Sequence, residues 1–354
     1  VFRYRSRAMT PELIVCGILL VAITLYAILG GADFGAGVWE FNTAMRSSDK
    51  ERNLLNRAIG PVWEANHVWL IFALVLMFSA FPIAFAALCR ALWIPLLLAL
   101  LGIFARGVGF AFRAYAAGAI RQQVLFGAVF AIASTSTPFF FGACAGAIAG
   151  GLPLDENGKF LGNHLTAWIT PLSIFCSFYA VGLCSYISAI FMSREAENED
   201  DAELTAIWRR RSLIMGVILG IFSGVGLICV AWSAPNLWQG FVSSALPLVA
   251  VSAATGFVSM ACVWLATYQL AIGSASVTVA SVILGWGVAQ YPLIVPPTIS
   301  VHSSKAPESV LWAMIFVIAL GSLILVPSLG WLFYLFKGQN PGSVRSAASS
   351  VSDQ

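Results

Sequence analysis

Charged residues make up only 10% of these 354 residues, 19 Lys and Arg against 16 Asp and Glu, where a soluble domain carries roughly a quarter. So few charges cannot cover the surface of a soluble fold of this length. An ordinary cytosolic enzyme and a disordered chain are thereby excluded. The net charge of +3 provides no basic field for a nucleic-acid partner. Histidine is scarcer still, occurring only as His67, His164 and His302. The seven cysteines form no CxxC pair. Neither a zinc site nor a disulfide framework is indicated, and the cysteines read as small apolar residues inside helices. A phosphate-cradling loop and a nucleophile–base–orienter set are also missing.

What the chain has in abundance is apolar length. Hydrophobic residues make up 59% and the mean hydropathy is +0.87. A helix needs about 20 apolar residues to cross a bilayer, and that ruler predicts an all-α polytopic membrane protein of nine transmembrane helices. The spans run over 11–32, 62–89, 92–113, 122–150, 167–192, 211–233, 245–270, 274–295 and 309–336. The runs are continuously apolar and do not alternate, which argues against a β-barrel. The only break between the seventh and eighth spans is expected at Ile272-Gly273-Ser274. Kinks are expected at Pro82, Pro138 and Pro292. Gly142, Gly146 and Gly150, and likewise Gly216, Gly220 and Gly224, form stripes that suit close helix approach.

Residues 41–60 and the acidic stretch 193–210 read as soluble loops, and 151–166 as a loop on the other side. The tail 337–354 reads as disordered. With an external N-terminus, 13 Lys and Arg fall inside and 6 outside, so the positive-inside rule favours N-out and C-in. Three of those six precede Met9, a candidate true start within the tail 1–10 that would make the first eight residues an upstream artefact.

Ionisable groups inside a membrane are costly and therefore candidates for function. Asp33 stands in Gly30-Gly31-Ala32-Asp33-Phe34-Gly35-Ala36-Gly37. Glu64 and His67 stand in Gly60-Pro61-Val62-Trp63-Glu64-Ala65-Asn66-His67-Val68-Trp69. Arg106 stands in Ile103-Phe104-Ala105-Arg106-Gly107-Val108-Gly109-Phe110. On the expected topology all four fall at one depth in the inner half, and Glu64 and His67 share a helix face. Two readings remain open on spacing alone. The carboxylates could pair with Arg106 or Arg113 and hold three helices together. They could equally line a cytoplasmic proton entry with His67 as a relay, and metal or ligand binding is a third use. Haem ligation by this chain alone is disfavoured, because the other two histidines fall in outer loops and leave no bis-His pair.

These motif strings, with Phe81-Pro82-Ile83-Ala84-Phe85-Ala86 and Arg106 through Arg113, resemble subunit II of the cytochrome bd quinol oxidases. The resemblance is dense over about residues 10–115 and later rests on Gln290-Tyr291-Pro292 and Pro296-Pro297. It implies two four-helix bundles, 11–150 and 211–336, with 167–192 as a peripheral helix. It implies a bacterial cytoplasmic membrane complex that oxidises quinol and reduces O₂. Haem b and haem d, or haem b alone, would lie in the partner subunit I. A bound quinone and a small accessory subunit are features of some members. Glu64 corresponds to the family's membrane carboxylate on a proton path, Trp69 to the tryptophan of an O₂ route, and Asp33 to the Asp between glycines. Where some members carry Gln, this chain has His67. Two readings of another class stay open: a secondary transporter with carboxylate coupling sites, and a purely structural membrane subunit.

Overall fold

The computed structural model describes residues 10–44, 50–51, 53–55, 63–115, 120–155 and 158–337. About 85% of them are helical, as expected where lipid offers backbone groups no partner and each segment must satisfy itself. In chain order these are α1 (Pro11–Ala44), α2 (Trp63–Ala80), α3 (Pro82–Ala91), α4 (Trp93–Tyr115), α5 (Ile120–Gly150), α6 (Pro171–Asn198), α7 (Ala202–Ser233), α8 (Pro235–Ser243), α9 (Leu246–Trp264) and α10 (Tyr268–Gln290). A short antiparallel pair follows, β1 (Leu293–Val295) and β2 (Ile299–Ser300), then α11 (Val301–Ser304) and α12 (Glu308–Lys337). Residues 50, 51 and 53–55 are also helical.

Among the described residues eight helices are long and apolar enough to cross a membrane. A ninth candidate is a broken one. The expected span 62–89, with a kink at Pro82, is instead two helices, α2 and α3, bent by 116°. The corner has a local cause: Pro82 lacks an N–H and bars the preceding residue from helical geometry. Phe81 accordingly sits at φ −131° and ψ 58°, and its buried ring anchors the bend. Pro138 stays inside the continuous α5, whereas Pro292 lies beyond the end of α10 and kinks nothing.

Three further expectations change. The break between α9 and α10 falls at Leu265-Ala266-Thr267, with Ala266 in the left-handed region at φ 57°, and Gly273 is carried within α10. The acidic stretch 193–210 is a tight helical hairpin, not a long loop. α6 continues to Asn198, and the Asp201 carboxylate accepts from the N–H groups of Glu203 and Leu204 to start α7, an ordinary N-cap. Its acidic residues therefore decorate two helix ends. Finally, α1 does not stop near residue 32 but runs on to Ala44. The rest of the expected 41–60 loop, the tail 1–10 apart from Thr10, Met9, and the tail beyond Lys337 lie outside the described residues.

The two glycine stripes behave differently. A Cβ on Gly142 would come 2.7 Å from Ser177 Cα, so α5 and α6 approach too closely there for any side chain. Gly220 and Gly224 have nothing within 4 Å of such a Cβ, and of the second stripe only Gly216 meets a neighbour.

Chain compactness separates Cys16–Lys305 from a smaller unit made of the described parts of Val1–Val15 and Ala306–Gln354. Within the larger unit, α4 packs along α5, α5 along α6, α6 along α7, and α9 along α10. The helix expected to be peripheral, α6, has the largest buried share of the candidate spans. Around it hydroxyl pairs take the place of charges: Tyr179 with Ser223 at 3.0 Å and Tyr186 with Ser259 at 2.8 Å. In helix-helix packing within lipid, such bonds contribute roughly 0.6 kcal/mol each.

Candidate functional site

The glycines around Asp33 explain how that residue meets its partner. A Cβ on Gly35 would fall on the Cys184 carbonyl and 2.7 Å from Ser188 Cβ, so α1 presses against α6 with no side chain between them. On α4, a Cβ at Gly109 would lie 2.9 Å from both Phe126 O and Phe130 N. Three residues before it, on the same face, Arg106 is carried against α5.

The result is a buried ion pair. Arg106 Nη2 donates to Asp33 Oδ1, with Arg106 1% and Asp33 6% exposed. Arg106 Nε donates to Ser134 Oγ at 3.0 Å. The guanidinium carbon lies 4.9 Å from the Phe34 ring centroid and 5.2 Å from that of Phe130, within cation–π range. One arginine thus ties together α1, α4 and α5. Three polar atoms nearby are buried with no hydrogen-bond partner among the described residues: Asp33 Oδ2, Arg106 Nη1 and the Tyr26 hydroxyl.

The half-buried His67 on α2 joins this group. Its ring centroid is 6.2 Å from that of Phe34 and 6.3 Å from that of Tyr26. Next to it, Asn66 Nδ2 donates to the Leu29 carbonyl at 3.2 Å, which ties α2 to α1. Of the residues singled out from sequence, Asp33, Arg106 and His67 therefore come together. Trp69 is half-buried on α2 and meets Phe72 edge to face at 6.4 Å. Glu64 and Arg113 are placed in α2 and α4, and their side chains lie outside the described residues.

Sequence reasoning missed a second cluster, near the Ala44 end of α1. Arg211 Nη1 is 2.7 Å from Glu51 Oε2, with both side chains nearly buried. The Arg211 guanidinium carbon lies 4.5 Å from the Trp208 ring centroid and 5.4 Å from that of Trp39. Trp39 Nε1 donates to the Ser185 carbonyl at 2.8 Å. Glu40 is buried beside it in sequence. The run Arg209-Arg210-Arg211 reads as inner-side charge, and nothing local in it distinguishes Arg211. Lys50 lies 3.8 Å from both Asp201 and Glu203, an exposed contact worth little. Tyr26 was missed too, because a tyrosine in an apolar run carries no signal until its hydroxyl is seen to be buried.

Among the described residues no group of three or more His, Cys, Asp or Glu side chains could hold a metal ion. The three histidines have different neighbours. The ring nearest the ion pair, His67, has Tyr26 and Phe34 beside it. His164 sits between Trp93 and Phe160 in the α5–α6 connection, and His302 lies beside Tyr291.

Comparison with known proteins agrees with the motif strings. The family model described as cytochrome bd terminal oxidase subunit II matches residues 11–336. The chain is 30% identical over 177 residues to the cytochrome bd ubiquinol oxidase subunit 2 of Bacillus subtilis, covering 49% of this chain and 51% of that one. It is 26% identical over 190 residues to the cytochrome bd-I ubiquinol oxidase subunit 2 of Escherichia coli, covering 52% and 48%. The matched region thus spans about half the length of these curated relatives. A chain of the bd oxidase from Geobacillus thermodenitrificans has the same fold, with a TM-score of 0.78 at 20% identity, covering 94% of this chain and 100% of that one.

Proposed function

The chain belongs to the cytochrome bd terminal oxidase subunit II family, and from that premise we propose that it serves as the subunit without haem ligands in a bd-type quinol:O₂ oxidoreductase. In this reading its partner is subunit I, whose haems, b with d or b alone, carry out O₂ reduction when bound there. Membrane quinol and O₂ are substrates of the complex. The chain lies in the bacterial cytoplasmic membrane with nine crossings, α2 and α3 together making one. The N-terminus is outside and the C-terminus inside. Helices before and after α6 make two four-helix bundles.

The chain's own work is to stabilise subunit I and to pass protons inward from the cytoplasm. Asp33 lies 11 residues before the end of α1, about 16 Å at 1.5 Å per residue, where a carboxylate needs a fixed positive partner to stay charged. Arg106 is that partner. Glu64 and His67 lie on the neighbouring helix, and Trp69 borders an O₂ route on the same helix. The observation that carries this reading is the buried Asp33–Arg106 pair, whose second carboxylate oxygen has no hydrogen-bond partner among the described residues. A group so placed can hand a proton on without leaving its site.

Glu64→Gln tests it in the purified complex. Quinol oxidase turnover is expected to fall about a hundredfold, the low end of what a positioned proton donor contributes, with the haem spectrum intact. Normal turnover would sink the proton route. Loss of assembly would select a structural reading, which the four groups holding Arg106 also favour.

A further inference from the structure

Phe34 is the hub of a buried cluster of aromatic and polar side chains. Its ring, 3% exposed as a residue, has Arg106 at 4.9 Å on one side. The His67 ring lies at 6.2 Å and the Tyr26 ring at 6.3 Å. Tyr26 precedes Asp33 by seven residues and so lies on the same face of α1. The rings of Phe141 on α5 and His67 on α2 flank it. Three of the polar atoms around this hub, Tyr26 Oη, Asp33 Oδ2 and Arg106 Nη1, are buried and have no hydrogen-bond partner among the described residues. A buried hydroxyl, carboxylate oxygen or guanidinium N–H left unpaired costs roughly 1–3 kcal/mol, and one such atom is an ordinary defect. Three around one phenylalanine are the lining of a site for water, which satisfies buried polar groups by bridging two to four of them.

We propose that Tyr26, with His67, Asp33 and Arg106, binds a small cluster of internal water around Phe34, and that Tyr26 relays protons through it beyond Asp33. This rests on the proton-conducting reading above and extends it to a residue that reading does not use. The relay balances at each group. The Tyr26 hydroxyl accepts a proton from one water as it gives its own to the next, so the phenol ends neutral. The His67 imidazole takes a proton on one ring nitrogen and releases one from the other. Neither is consumed.

Tyr26→Phe in the purified complex is the test, because it removes one oxygen and keeps the ring. Turnover is expected to fall roughly threefold to tenfold, equivalent to one hydrogen bond lost from the path. The solvent deuterium isotope effect on turnover should rise, with the haem spectrum unchanged. A merely structural tyrosine would leave that isotope effect where it was. If Glu64→Gln is slow while Tyr26→Phe matches wild type in both rate and isotope effect, the relay is overturned and the proton-entry reading survives. If both variants match wild type, both ideas fall. If Tyr26→Phe loses haem, the hydroxyl's role is structural and the relay is refuted.

Discussion

Replacing Arg106 by leucine, alone and together with Asp33→Leu, separates a charge-paired core from ordinary packing. In the single Arg106→Leu variant, Asp33 keeps a carboxylate that is 6% exposed and has lost the one counter-charge it has among the described residues. Removing one member of a buried pair costs about 3–5 kcal/mol, chiefly because the other is stranded. The bond to Ser134 at 3.0 Å adds about 1 kcal/mol, and the contacts with Phe34 and Phe130 are each worth about 0.5–1 kcal/mol. Transmembrane hydrogen bonds run weaker than these soluble-protein values, so the total is taken as about 3–5 kcal/mol. In the double variant no stranded charge remains. Replacing a whole buried pair by apolar groups is close to neutral, which leaves only the lost Ser134 and ring contacts, about 1–2 kcal/mol on the same weaker membrane scale. The double variant should therefore be more stable than Arg106→Leu by about 2–3 kcal/mol. The assay is detergent denaturation of the purified complex, followed by loss of helical circular dichroism. A single variant costing less than about 1 kcal/mol, or a double equal to the sum of the singles, would refute stranded charge as the mechanism.

Gly142→Ala and Gly220→Ala are chemically the same change and should have opposite effects. The first must push α5 off α6 and destabilises by about 1–3 kcal/mol or more, whereas the second faces open space and stabilises by up to about 0.8–1.0 kcal/mol through helix propensity. Equal effects in a denaturation series would contradict the geometry. Arg211→Leu removes the guanidinium 2.7 Å from Glu51, itself 6% exposed, and should cost about 1.5–3 kcal/mol. Hydrogen exchange should rise at residues 50, 51 and 53–55, where Leu54 and Leu55 pack with Trp39 and Trp208, and unchanged exchange there would count against the clamp.

The sequence by itself determined the class of molecule, because partition into lipid is an additive, local property that hydropathy reads off directly. It located α4, α5 and α12 to within a few residues and marked Asp33, His67 and Arg106 as exceptional, since each interrupts an apolar run. Where a helix ends is also local when a proline dictates it, yet the 116° corner at Phe81-Pro82 went beyond the kink expected there. The fold chose a sharp turn by burying Phe81. Helix continuation past the apolar stretch, as in α1 and α6, escaped notice because hydropathy measures lipid compatibility and says nothing of helices that extend into water.

Only the tertiary structure decided the pairings. Asp33 and Arg106 stand 73 residues apart, on α1 and α4, which are not neighbours in sequence. The same is true of Glu51 with Arg211. Burial makes the Tyr26 hydroxyl a polar group with no hydrogen-bond partner among the described residues instead of one more aromatic. A polar side chain acquires its role from what surrounds it, and those surroundings come from other helices.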